Sequence, residues 1–256
     1  LKRSGKTFHD HEPHPTLKLT MTGVLAKSSN IGTIQAAELM GAEKFDSYLR
    51  KFGVAQATGM QFPGESKGRL PKLEKWSGTS FPTFAFGQGY MVTAVQIASM
   101  YATIANDGVR INPSLIEGYV MPNGQYQAAA EPERTEVISV AAAKTLREMM
   151  ETVVSDEGTA PLAGIPGYRV AGKTGTSQVV DPNCKCYSRD VIASFIGMAP
   201  AEDPEIVVAV AIHHPRNGRY GGMLAGPVFK EVAQYSLQQL NIPPSNGKPT
   251  GYPVEW

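Results

Sequence analysis

Three apolar runs follow one another in the second half of the chain: Tyr168–Ser177, Val191–Met198 and Ile206–Ile212. Each has the length and residue types of a strand. Their connections suit antiparallel pairing, apart from a longer polar loop between the first two. The first run carries Lys173-Thr174-Gly175, preceded by Gly172. A lysine at a strand edge sets a positive charge beside a carboxylate-bearing ligand. The Thr174 hydroxyl can hydrogen-bond that carboxylate, and Gly175 lets another backbone come close. Three residues recur by chance. What makes this triplet specific is Ser28-Ser29-Asn30 far upstream, directly before an apolar segment of helical period.

The rest of the pattern puts a helix-rich half before the strands. Apolar residues at helical spacing predict helices from Ile31 to Met40, Glu43 to Lys51 and Thr93 to Asn106. They also predict one over Ser139–Val154 and a closing helix over Pro227–Leu240. Leu17–Ala26 reads as a short connection. Residues 53–82, rich in Gly, Pro and Ser, read as a long irregular excursion that is functional or packed by its own side chains. Asn123-Gly124 is a hairpin signal. The expected organisation is an exposed segment over 1–15, one domain over 16–241 and a Pro/Gly-rich tail over 242–256. The fold class is α/β (α+β): an antiparallel sheet flanked by helices.

Composition narrows the function. A formal net charge of +1 over 256 residues argues against a nucleic-acid footprint. No run is long and apolar enough to span a membrane, and the first residues lack the apolar core of a signal peptide. His9, His11 and His14 alternate with Asp10 and Glu12; an exposed, turn-rich segment is favoured over a metal site. Cys184 and Cys186 admit a disulfide, half a metal site or free thiols. No further cysteine completes a zinc set, and no metal or cofactor is expected. The favoured reading makes Asn183–Ser188 a mobile rim loop outside the chemistry. Phe86-Gly-Gln-Gly89 lacks the Gly-Lys-Ser/Thr ending of a phosphate loop and reads as a backbone turn.

Taken alone, Ser28 and Asn30 would be helix-capping residues. Paired with Lys173-Thr174-Gly175-Thr176 they form two of the three motifs of the penicillin-recognising serine acyl transferases. The third, Ser-x-x-Lys, supplies the nucleophile and a lysine one helical turn later. By letter it occurs once, at Ser245-Asn-Gly-Lys248. There the flanking prolines and the glycine forbid the helical turn that would join serine to lysine.

The chain resembles the transpeptidase domain of class B penicillin-binding proteins, most of all the division-associated group from actinobacteria. The resemblance runs through Leu25-Ala-Lys-Ser-Ser-Asn-Ile-Gly32, Pro63-Gly-Glu-Ser66 and Phe86-Gly-Gln-Gly-Tyr90. It continues through Tyr101-Ala-Thr-Ile-Ala-Asn-Asp-Gly108, Gly158-Thr-Ala160, Gly167–Thr176 and Ala193-Ser-Phe-Ile-Gly-Met-Ala-Pro200. It implies a penicillin-binding, serine β-lactamase-like fold whose first strands and nucleophile lie outside this chain, so that the isolated piece would be neither fully folded nor active. Ser28, Asn30 and Lys173 would be catalytic, and Thr174, Gly175 and Thr176 substrate-binding. The substrate would be a peptidoglycan stem peptide ending in D-Ala-D-Ala, with β-lactams as its mimics. The protein would work on the extracytoplasmic face of the cell membrane, held by an upstream anchor beside cell-division proteins. The alternatives are a D,D-carboxypeptidase or β-lactamase, and a β-lactam sensor or inactive scaffold.

Overall fold

The computed structural model describes residues 1–181, 183–184, 186–249 and 251–256. In chain order its strands are β1 (Lys2–Arg3), β2 (Lys6–Thr7), β3 (Val109–Ile111), β4 (Gly118–Val120), β5 (Tyr126–Ala128), β6 (Arg134–Glu136), β7 (Ala171–Asp181), β8 (Cys186–Ala199) and β9 (Ile206–His213). The α-helices are α1 (Met21–Ala26), α2 (Asn30–Met40), α3 (Ala42–Lys51), α4 (Ser80–Ala85), α5 (Ala94–Ala105), α6 (Val140–Glu151) and α7 (Gly221–Gln239).

The centre is the antiparallel sheet β7–β8–β9. Alternate residues of its strands face two separate cores. Phe195 and Ala199, with Val170 just before β7, join Phe229, Ala225, Ala233 and Leu237 of α7 on one face. Ala171 and Met198 meet Ile104 of α5 and Met150 of α6 on the other. Burial on both faces explains why Ile206–Ile212 is a continuous apolar run rather than an alternating one. The Phe195 and Phe229 rings meet edge to face at 4.8 Å.

α7 starts so close to its neighbours that its first two positions have no room for a side chain. A Cβ on Gly221 would stand 2.0 Å from the Ser194 carbonyl oxygen, and one on Gly222 would stand 1.9 Å from that of Thr159. The helix therefore begins at Gly221, six residues before the expected start at Pro227, and carries the proline inside it. Its buried stripe is built largely of Gly and Ala. Val228, Val232, Tyr235 and Leu240, part of the apolar pattern that predicts a helix over Pro227–Leu240, are exposed rather than buried.

The excursion after Gly53 packs on itself, with Val54, Leu70 and Phe84 in one core with Leu49, and Trp76 and Tyr90 against it. Two expectations give way here. Leu17–Ala26 is not merely a connection, since Met21–Ala26 is helical with the Thr20 hydroxyl accepting the Gly23 N–H. The cysteine loop is shorter than Asn183–Ser188, because β8 already starts at Cys186 and pairs with Asp181. Cys184 and Cys186 are disulfide-bonded, while Lys185 lies outside the described residues.

Both ends of the chain also make ordered contacts. β1 and β2 pair, Phe8 is 4% exposed, and most of the side chains from His9 to Thr16 are exposed. In the tail, Tyr168 donates its hydroxyl proton to the Ile242 carbonyl, Val254 is buried, and the Val254 carbonyl accepts the Thr20 N–H.

Candidate active site

Ser28 sits between two helices. α1 ends with Ser28 N–H donating to the Leu25 carbonyl and Ser29 N–H donating to that of Val24. These are the two bonds of a Schellman motif, whose key position normally takes glycine because its φ is positive. Here that position is Ser28, with φ of 54°. A left-handed conformation costs a non-glycine residue about 1 kcal/mol. The next residue, Ser29, begins α2: its hydroxyl accepts the Gly32 N–H as N-cap. The capping role weighed for Ser28 and Asn30 thus falls on the serine between them, which leaves the Ser28 hydroxyl free to point elsewhere.

It points at Lys173, whose Nζ donates to Ser28 Oγ at 2.7 Å. Two motifs separated by 145 residues of sequence meet in this one bond. Lys173 Nζ also lies 3.2 Å from the carbonyl and from the hydroxyl of Thr174. No carboxylate contributes to its titration; burial alone lowers its pKa to about 8. An amine with a pKa of about 8 is still mostly protonated at pH 7.

The lysine is placed by sheet register. Lys173 pairs with Ile196, Thr174 with Phe195, Gly175 with Ser194 and Thr176 with Ala193. β7 has a strand on one side only among the described residues, so its other edge offers backbone N–H and C=O groups to an extended ligand. At Gly175 the close neighbour is a side chain rather than the backbone expected: a Cβ there would stand 2.5 Å from Ser194 Oγ. Thr176 Oγ1 lies 3.4 Å from the Gly221 amide nitrogen, tying the strand to the start of α7.

Asn30 opens α2, and its Nδ2 donates to the His9 carbonyl at 3.0 Å. An amide keeps a second N–H and a carbonyl oxygen for another partner. Two further residues belong to the site. Thr159 Oγ1 lies 2.9 Å from Thr174 Oγ1; its signal was the Gly158-Thr-Ala160 block. Asp10 accepts from the Ser29 hydroxyl at 3.0 Å and from Ile31 N–H at 2.9 Å. No sequence signal singled it out, because the link depends on a non-helical chain path.

Ser245 is elsewhere. Its hydroxyl accepts the Arg169 N–H, in backbone without helix. A cavity of about 1100 Å³ beneath the tail is lined by Lys27, Arg169, Ser245 and Tyr252 among others, and holds neither Ser28 nor Lys173.

Comparison with known proteins identifies the family of the chain. A family model described as the penicillin binding protein transpeptidase domain matches residues 1–234. The chain is 43% identical over 256 residues to penicillin-binding protein PbpB of Mycolicibacterium smegmatis, covering 96% of this chain and 40% of that protein. It is 36% identical to peptidoglycan D,D-transpeptidase FtsI of Escherichia coli, covering 89% of this chain and 37% of that one. Among solved structures, penicillin binding protein 3 from Mycobacterium tuberculosis superposes with a TM-score of 0.93 at 38% identity, over 100% of this chain and 58% of that chain. The same protein complexed with aztreonam gives 0.91 at 37% identity, over 98% and 57%. The chain therefore spans about 40% of the length of the curated relatives it matches. With the matched family model covering most of the chain and the Ser28–Lys173 contact in place, this chain belongs to the penicillin-binding protein transpeptidase domain family, in its class B branch.

Proposed function

We propose that these residues are part of a division-type peptidoglycan D,D-transpeptidase that works through a serine acyl-enzyme and is inhibited by β-lactams. The observation that carries this reading is the 2.7 Å contact between Lys173 Nζ and Ser28 Oγ. In this scheme a serine from a Ser-x-x-Lys outside residues 1–256 attacks the carbonyl carbon joining the two D-Ala residues. The C–O bond forms, the C–N bond breaks, and the departing amine receives a proton. Ser28 is the relay for that proton, and Lys173 is the charged donor that holds its hydroxyl in place. Asn30 holds the substrate amide. β7 forms the opposite wall: Thr174 and Thr176 offer hydroxyls, and Gly175 leaves room for the peptide along the strand edge. The amine of a second stem peptide then displaces the serine. A β-lactam follows the same first step, but its amine stays tethered and blocks the acceptor.

The compartment follows from the substrate: the extracytoplasmic face of the cell membrane, beside division proteins, with the anchor supplied by sequence outside these residues. The Cys184–Cys186 disulfide suits such an oxidising setting. Among the described residues no helix is long and apolar enough to cross a membrane.

The test uses the complete protein and a fluorescent penicillin. Digestion and mass spectrometry should find the label outside residues 1–256, and Lys173→Ala should slow labelling. Label on Ser28 or Ser245, or an unchanged rate in Lys173→Ala, would sink the assignment.

A further inference from the structure

The histidine-rich stretch before the first motif contains a pair that the proposed chemistry does not use. His14 Nε2 lies 2.9 Å from Asp10 Oδ2, and His14 Nδ1 lies 2.7 Å from the Pro15 carbonyl oxygen. Both ring nitrogens thus face acceptors. A neutral imidazole has one N–H and can serve only one of them; the imidazolium has two and serves both. The geometry is therefore that of a charged histidine.

The carboxylate it holds is the one that grips the Ser-x-Asn turn. Asp10 accepts from Ser29 Oγ at 3.1 and 3.0 Å through its two oxygens, and from Ile31 N–H at 2.9 Å. Ser29 and Ile31 flank Asn30, and Ser29 follows the left-handed Ser28. The backbone carbonyl of His9, next to Asp10, takes the Asn30 amide. One short segment therefore holds the residues that follow Ser28 by bonds additional to those of the helix caps.

We propose that His14 and Asp10 form a pH-sensitive positioning clamp on the Ser28-Ser29-Asn30 turn, closed when His14 is protonated. Neither residue touches the reacting atoms; they act through Ser29, Ile31 and Asn30. This rests on the transpeptidase reading and adds a control to it. The charged group facing His14 is Asp10. Facing Asp10 are His14, the Ser29 hydroxyl and the N-terminus of α2. Of the other titratable groups on the segment, His11 sits against the Tyr220 ring at 5.1 Å, and His9 and Glu12 are exposed. Lys173 bonds to Ser28, not to Asp10 or His14.

The electrostatics agree in sign. The bonds to the Pro15 carbonyl and to Asp10 raise the His14 pKa above its ordinary value. Burial pushes the Asp10 carboxyl up, but the Ile31, His14 and Ser29 bonds outweigh it and hold the pKa below the usual carboxylate range. A histidine with a raised pKa contributes its tie fully below its ordinary value of about 6.5, and loses it as pH rises through the raised one.

The experiment compares the complete protein with its His14→Gln variant. Penicillin acylation rates are measured from about pH 6 to about pH 9. Taking the ratio of the two cancels the titration of Lys173, which both proteins share. The parent should acylate roughly three- to ten-fold faster at the acid end, and the ratio should close to about one at the alkaline end. A ratio independent of pH overturns the clamp. NMR titration of the His14 ring gives a second readout that needs no acylation. Its pKa should exceed the ordinary value and fall in Asp10→Asn; an ordinary pKa, or one unmoved by Asp10→Asn, also overturns it. If the parent protein is not acylated at all, the transpeptidase reading fails while the ring titration still decides the clamp.

Discussion

Ser28 stands in the middle of the three residues between α1 and α2, in a backbone conformation that disfavours any side chain. Lys173 stands near the start of a strand whose pairing with β8 runs unbroken from Ala171 to Gln178. Both end at the same 2.7 Å contact. The turn is held by a handful of polar bonds, from Asp10, from the helix caps and from Val254 behind α1. The strand is held by two cores. Placement by a few directional bonds is sensitive to protonation and to single polar substitutions. Placement by packed sheet register is sensitive to volume and indifferent to pH.

The hardest way to break the strand wall is to empty its core. Phe229→Ala should cost about 3–5 kcal/mol, read as a fall in the denaturant midpoint with little change in slope. A loss under about 1 kcal/mol would mean that α7 does not support the sheet as described. Lys173→Ala should leave the fold intact and slow penicillin acylation by about 10²–10⁴-fold, the usual range for a positioned proton-transfer group. Lys173 also predicts a pH limb: its pKa of about 8 means that acylation falls as pH climbs through that value and the cation is lost. Lys173→Arg, which stays charged, should lack that limb.

Ser28→Gly sharpens the comparison, because the two effects of the substitution have opposite signs. Acylation should fall by about 10²-fold, while stability should rise by up to about 1 kcal/mol as the left-handed position receives its preferred residue. Stability lost instead of gained would show that the Ser28 hydroxyl holds the fold. The smallest effect belongs to the hairpin tip. Replacing Cys184 and Cys186 together by Ser should leave acylation within about three-fold, since the ladder from Ala171 to Gln178 does not depend on them.

The sequence disclosed the two walls unequally. α5 was legible because its apolar residues recur at helical spacing after Thr93; the structure adds a capping box between Thr93 and Gln96. The hairpin at Asn123-Gly124 was legible from turn chemistry, with Val120 paired to Tyr126 across it. The three central strands were legible from their apolar runs, and Lys173 with them. α1 was not, because six residues containing a glycine are too short to show a period. The buried stripe of α7 was misread because close packing against the sheet and against residues 159–163 selects Gly221, Gly222, Ala225, Gly226 and Ala233, which carry little apolar signal, while Val228, Val232, Tyr235 and Leu240 sit outside. At the site, Ser28, Asn30, Lys173, Thr174, Gly175 and Thr176 were named by motif. Asp10 and His14 were noted only within an exposed histidine-rich stretch, because Asp10 reaches the turn along a segment with no regular period and His14 bonds to Asp10 rather than to the turn.

The amide of Thr20 is bonded to the carbonyl of Val254, 234 residues later in the chain, and a Cβ on Gly23 would stand 2.0 Å from that same oxygen. In terms of native-state hydrogen exchange, this makes α1 and residues 253–256 one cooperative opening unit, since neither can separate without exposing groups of the other. The Ser28 turn hangs from the C-terminal end of α1. The open fraction of that small unit is thus the fraction of time in which Ser28 is not presented to Lys173, however firmly the central sheet is folded.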